Sequence, residues 1–464
     1  MAGVELAAPA VGSRVARWTI VASILGSSMA FIDGSVVNVA LPSIQADLGG
    51  GLATQQWVVD SYLLTLGSLI LVGGSLGDIF GESRVFAIGV ASFAGASVLC
   101  AVAPDAPALI VFRGIQGMAG ALLTPASLAM LTATFSGTAR GNAIGLWTSW
   151  TGISFIVGPT IGGWLIDVST WRTIFLLNIP IAIATLLILM RLGGMHQKRR
   201  ADLRVDVPGA ILCTAGLGLV VAGFIEQPHL GWGDPLIIAA FALGTLLLGA
   251  FVAYELRTPM PMLPLRLFRL RNFSVTNIET LSVYGGLSGL STFLTLFLIE
   301  FAGFSALHAG ISLLPITVVM FFLSPRMGRL SMQHGPRLFM ALGPIIAGVS
   351  VAAYTRLPQN LDYWMDILPP LLVFSFGLSL TVAPLTTTVL ADAGPGDAGV
   401  ASGVNNAVAR IAGLLTIAVL GIAAAGGGDH LTVHGFHVTM GAVAGLLVCG
   451  GLIGAIGIRN PRRT

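Results

Sequence analysis

The sequence predicts an all-α membrane protein of fourteen transmembrane helices: two six-helix bundles plus an inserted helix pair, with both termini cytoplasmic. Three observations carry that prediction. The composition cannot face water, the apolar runs have the length of one bilayer crossing, and the arginines lie almost all on one side. Hydrophobic residues make up 55% of the 464 and charged residues only 9%, and the mean hydropathy is +0.90. A soluble domain carries about 25% charged residues, so most of this chain must be spans in a cell membrane. Runs of about 20 residues suit helices crossing a hydrocarbon core of roughly 30 Å, whereas barrel strands would be about half as long and would alternate in polarity.

The runs are 18–40, 54–74, 84–103, 106–131, 141–166, 171–191, 207–226, 235–254, 273–299, 306–325, 337–356, 365–390, 399–424 and 436–458. The first follows Arg14 and Arg17, is too long for a cleaved signal sequence and lacks a small-residue cleavage site, so it reads as a retained span. An even number of spans puts both termini on one side. With the termini inside, 19 of the 23 basic residues fall in inner segments, Arg172 and Arg356 in outer ones, and Arg113 and Arg410 within spans. The positive-inside rule then sets the orientation.

Polar breaks at 192–206 and 255–272 group the spans as six, two and six. The expected units are therefore 1–192, then 193–262 with the linker and spans 7 and 8, then 263–464. Spans 7 and 8 carry few charges and are expected to pack peripherally. The outer blocks share a faint repeat. Gly74, Leu76 and Gly81 recur 254 residues on as Gly328, Leu330 and Gly335. Two related bundles around a central cavity suit a rocking transporter. Cys100, Cys213 and Cys449 each lie inside an apolar run and imply no disulfide framework.

Depth singles out the charged residues. Asp33 lies roughly 22 Å into span 1, hence roughly 8 Å from the outer edge; Asp60 lies roughly 9 Å and Arg113 roughly 10 Å from that edge. Three ionisable groups on three helices share one depth, and the expectation is a buried charge cluster facing a cavity. Burial favours the neutral form of a carboxylate and a neighbouring guanidinium favours the ionised form. Such a set can exchange a proton against a cargo, and a static pair pinning spans 1, 2 and 4 is the structural alternative. Glu279 lies roughly 9 Å from the inner edge, in another layer, as a second proton or cation site. Arg410 is near mid-depth in span 13 and has no acidic neighbour in sequence; a carbonyl or an anionic cargo group would meet it. Trp57, Trp147, Trp150 and Tyr284 are candidates to stack on a flat cargo, and Asn38 and Gln116 to orient it. Glu226 and Glu300 sit at span ends and are expected to be solvated.

FIDGSVVNVALP, LIVFRGIQGMAGA, GISFIVGPTIGGW and WRTIFLLNIP, in that order, resemble the span-1, span-4, span-5 and span-6 stretches of the major facilitator superfamily, and specifically of its fourteen-span drug:proton antiporters. The resemblance puts Asp33 at the acidic position, with Ser35 where threonine is usual, and Arg113 at the arginine implicated in proton coupling, with Gln116 after it. In the span-5 motif Gly158, Gly162 and Gly163 allow close helix contact, and Pro159 bends the span. GSLGDIFGESR matches the gating loop between spans 2 and 3 at Gly74, Leu76, Asp78 and Gly81. It departs at Ile79, Glu82 and Ser83, where the family carries basic residues, and only Arg84 keeps a positive charge. The resemblance is strong over spans 1 to 6 and rests on span count and the loop echo beyond them.

Other classes fit poorly. Lys198 is the single lysine and no phosphate-cradling loop surrounds it, which argues against ATP drive and against a Schiff-base cofactor. His430, His434 and His437 stand in a Gly-rich outer loop, a poor metal site, and no nucleophile–base pairing indicates an enzyme. The reading is a monomeric antiporter exporting lipophilic compounds, cationic ones included, against protons. Its partners are a small-molecule cargo, protons and membrane lipid, with no nucleic acid, no metal and no cofactor besides the proton gradient. Export of an endogenous lipid, sugar derivative or metabolite on the same fold is the second reading, and a transport-inactive membrane sensor or assembly partner the third.

Overall fold

The computed structural model describes residues 14–192, 205–358, 360–426 and 428–460. Most of the linker after span 6, with Lys198, lies outside the described residues. Each of the fourteen runs is helical: α1 (Arg14–Leu48), α2 (Gly51–Phe80), α3 (Glu82–Ala101), α4 (Ala106–Thr134), α5 (Ala139–Val168), α6 (Thr173–Arg191), α7 (Val207–Leu230), α8 (Pro235–Glu255), α9 (Arg271–Glu300), α10 (Ala306–His334), α11 (Pro336–Arg356), α12 (Tyr363–Ala391), α13 (Gly399–Ala425) and α14 (Val433–Gly457). Backbone groups have no water to bond in hydrocarbon, so the helix is the local solution for each run.

Starts and breaks follow local chemistry. Asp105, Asp206 and Thr432 cap α4, α7 and α14 by accepting the backbone N–H of Ala108, Gly209 and Gly435. Helical geometry is interrupted in α6 at Leu177, ahead of Pro180, which has no N–H for the Leu176 carbonyl. Between α12 and α13 the backbone stays helical through the connection. Gly81 and Gly335, the paired glycines of the loop repeat, both take positive φ, 95° and 89°. That region favours glycine over any residue with a Cβ, so the echo marks one turn built twice.

α1–α6 and α9–α14 form the two bundles. At the end opposite the termini they share one continuous apolar cluster, with Val36, Leu41 and Ile44 of α1, Leu52 and Val58 of α2, Phe293 and Phe297 of α9, and Phe436 of α14. Toward the termini the buried clusters are smaller, Ala16 with Leu131 and Phe135 in one half and Met340 with Leu385 and Ile458 in the other. The expectation for spans 7 and 8 holds for α8 and fails for α7. Val221 and Ile225 of α7 pack with Leu414 and Ala418 of α13 and with Ala53 and Trp57 of α2, so α7 lies along the seam between the bundles.

Candidate functional site

Asp33 and Arg113 form an ion pair with 0% and 1% of their side chains exposed. The guanidinium donates from Nε to the Val58 carbonyl at 3.0 Å and from Nη1 to Gln116 Oε1 at 2.7 Å. Arg113 and Gln116 stand three residues apart and so share one face of α4. Gln116 Nε2 returns to Asp33 Oδ1 at 2.8 Å and also donates to Ser97 Oγ at 2.9 Å. Asn178 Nδ2, at the restart of α6, approaches Asp33 Oδ1 at 3.3 Å and Ser97 Oγ at 3.2 Å. The Tyr62 ring covers the guanidinium, 4.2 Å from its carbon to the ring centroid, and the Tyr62 hydroxyl donates to the Ala30 carbonyl at 3.1 Å. A charge pair withdrawn from water is held only when its remaining donors and acceptors are met, and five helices supply them here. Gln116 is therefore enclosed in this network, away from the position of a cargo contact. Ser97, Asn178 and Tyr62 are members that sequence reasoning missed; Asn178, a lone amide in the apolar run WRTIFLLNIP, was the available signal.

Asp60 shares the depth of this pair and not its company. It is fully buried, and neither carboxylate oxygen has a hydrogen-bond partner among the described residues. The expectation of a three-member cluster fails for a geometric reason. Asp60 stands two residues before Tyr62, about 200° around the helix axis, so when Tyr62 meets Arg113 the carboxylate points elsewhere. Its face also carries Gln56, which donates to the Ile417 carbonyl of α13 at 2.7 Å. Glu279 is fully buried too, with neither oxygen partnered among the described residues. A Cβ at Gly454 would lie 2.8 Å from its Oε2 and 2.8 Å from the Met340 carbonyl, so Glu279 lies inside the second bundle between α9, α11 and α14.

The aromatic candidates divide. Trp57 donates to Glu226 Oε1 at 2.8 Å; it ties α2 to α7 and so is spoken for, and Glu226 is correspondingly bonded. Trp147 donates to Ser27 Oγ at 3.1 Å, inside the first bundle. Trp150 is 52% exposed. Tyr284 is half-buried on α9, and Arg410 of α13 places its guanidinium carbon 5.4 Å from the Phe31 ring of α1. Phe31, Gly34 and Asn38 form a half-buried stripe on α1, and Asn38 Oδ1 is buried without a hydrogen bond to any described residue. Glu300 is exposed at its span end, as expected, and also accepts from Gln55 at 3.2 Å.

The span-5 glycines join the pair to the seam. A Cβ at Gly158 would lie 3.0 Å from the Ile32 carbonyl and overlap Ser35 Oγ, and one at Gly162 would overlap Val36, so α5 clasps α1 on both sides of Asp33. A Cβ at Gly163 would lie 2.6 Å from the Ala306 carbonyl of α10, and Gly310 closes on Pro159 in the same crossing. The expected gating loop is almost entirely helical: Gly74 and Asp78 lie in the last turns of α2 and Arg84 in the first turn of α3, with Gly81 between them. A Cβ at Gly74 would lie 3.8 Å from Pro125, and Asp78 and Arg84 are exposed. Of the three histidines expected in the last outer loop, only His430 lies there, with Nδ1 3.0 Å from Gln45; His434 and His437 stand on α14, His437 Nε2 2.9 Å from the Leu357 carbonyl.

The sequence pattern of the Major Facilitator Superfamily matches residues 23–417. The chain is 33% identical to the puromycin resistance protein of Streptomyces alboniger, over 93% of this chain and 89% of that one. It is 36% identical to the cephamycin export protein of Amycolatopsis lactamdurans, over 84% and 81%, and 33% identical to the tetracenomycin C resistance and export protein of Streptomyces glaucescens, over 89% and 77%. The crystal structure of the peptide transporter POT in complex with sulfate superposes with a TM-score of 0.69 at 15% identity, covering 94% and 93% of the two chains, a likeness of fold. The chain belongs to the major facilitator superfamily, as a multi-pass membrane transporter of the fourteen-span type and not an enzyme.

Proposed function

We propose that this protein is a proton-coupled antiporter that exports lipophilic, drug-like compounds from the cytoplasm by alternating access. The observation that carries the reading is the Asp33–Arg113 pair, sealed from solvent and wired to three other helices, α2, α3 and α6. A proton arriving on Asp33 removes one charge of the pair and frees Arg113 from it. α1 is gripped by Gly158 and Gly162 of α5, which also meets α10 across the seam, so a shift at Asp33 reaches the contact between bundles. The shared cluster at the end opposite the termini supports a state closed on that side, which the positive-inside rule makes the outer one. Resistance and export proteins among the relatives support the direction of transport.

The test is efflux of a fluorescent lipophilic compound from cells lacking their own pumps, with wild type and Asp33→Asn at equal expression. Export that needs the pH gradient and vanishes in Asp33→Asn sustains the reading. Gradient-independent export, or equal export by both proteins, removes proton coupling at Asp33.

A further inference from the structure

Arg113 and Arg410 are the two arginines deep inside the apolar runs, and the structure treats them oppositely. Arg113 has its donors taken up by Asp33, Gln116 and the Val58 carbonyl. Arg410 forms no ion pair and no hydrogen bond with any described residue. It lies roughly 17 Å into α13, near the middle of the bilayer, where a guanidinium that meets only an aromatic ring and no acceptor is unfavourable. Its Cβ is pressed against Gly67 of α2, 3.1 Å from where a Cβ there would stand, so the residue sits in the seam between bundles. From there its head reaches the Phe31 ring of α1. α9 approaches the same stretch of α13 at Gly285, where a Cβ would lie 3.4 Å from the Ala412 carbonyl, which brings Tyr284 alongside. Seven residues beyond Phe31 on the same face, about 10 Å along α1, Asn38 Oδ1 is the unpartnered acceptor already described.

We infer that Arg410 and Phe31 form the recognition site for a planar aromatic cargo bearing a carboxylate. The carboxylate takes the two-pronged face of the guanidinium, and the flat ring of the cargo lies along Phe31 in the seam. Asn38 accepts from a donor at the far end of a molecule about 10 Å long. The site is distinct from the coupling pair yet one residue from it in structure: Tyr62 covers Arg113 and bonds the carbonyl of Ala30, the neighbour of Phe31. The inference rests on the export reading and deepens it by replacing a cationic cargo with an anionic one.

The test uses 1-pyrenebutyric acid, 1-pyrenebutanol and 1-pyrenebutylamine, one aromatic body with anionic, neutral and cationic heads, binding to the full chain in lipid nanodiscs. Wild type is expected to bind the acid at least tenfold more tightly than the alcohol or the amine. Arg410→Gln and Arg410→Met should each erase that preference while binding the alcohol as before, and either variant suffices if the other misfolds. Arg410→Lys should keep part of it, having the charge without the fork. Phe31→Ala should weaken all three and leave their ratio alone. Equal binding of acid and alcohol by wild type, or an unchanged preference without Arg410, overturns the inference. Export is judged separately by gradient-driven flux of the acid: no flux alongside an Arg410-dependent preference would sink the export reading and leave the site standing.

Discussion

Arg113 shows what a buried charge requires. Removing one member of a buried pair leaves the other uncompensated, at about 3–5 kcal/mol, whereas removing both is far less damaging. Arg113→Gln should therefore melt well below wild type, and Asp33→Asn combined with Arg113→Gln should recover most of that loss without recovering transport. A double variant as unstable as the single one would place the stability elsewhere than in the pair. Asp60 predicts the reverse. Its carboxylate has no hydrogen bond to a described residue to lose, so Asp60→Asn should melt at or above the wild-type temperature. A large fall would reveal a partner for that carboxylate.

At the scale of helices, the seam is built from close crossings. Gly163 admits the backbone of α10 where a methyl group would meet the Ala306 carbonyl. Gly163→Ala is expected to loosen that crossing, raising amide hydrogen exchange in 163–168 and 305–312 and lowering export, while α3 and α8 exchange as in wild type. α7 is held to α2 by the Trp57 indole and by a Thr214–Ser68 hydroxyl contact at 2.9 Å. A hydrogen bond to a charged acceptor contributes about 1.5–3 kcal/mol. Trp57→Phe, which keeps the ring and deletes the donor, should lower the melting temperature and increase exchange in α7. Unchanged exchange there would mean apolar packing alone holds the helix in the seam.

Across the whole molecule, the closed end combines a buried part and a rim. Gln56 reaches the Ile417 carbonyl from inside the seam. At the rim His229 meets Asp429 at 3.0 Å with 32% and 67% of their side chains exposed, and Leu52 N–H donates to the Asp429 carbonyl at 2.7 Å. Exposed ion pairs contribute about 0–1 kcal/mol, so Asp429→Ala should hardly change exchange at 50–56, since the backbone contact survives it. Gln56→Ala should raise exchange on both sides, at 50–56 and 417–426. The opposite ranking would make the rim, not the interior, the lock on this end.

The sequence by itself determined the number and length of the spans, the residues that carry charge at depth, the Asp33–Arg113 assignment and the paired turns at Gly81 and Gly335. These are properties of one coordinate. A bilayer grades solvation along its normal, so the depth of an aspartate is legible from its position in the chain alone, and the loop echo from its offset in the chain. Which way a side chain points around its helix was decided by packing. Asp60 turned from the pair it matches in depth, Trp57 was taken by Glu226, Ser97 and Asn178 completed a network nothing in the chain order links, and α7 entered the seam it was expected to avoid. Lipid is as apolar as the bundle interior, so hydropathy does not mark which face of a span is buried. Only the close contacts of neighbouring helices, at Gly158, Gly162 and Gly163 above all, fix that rotation.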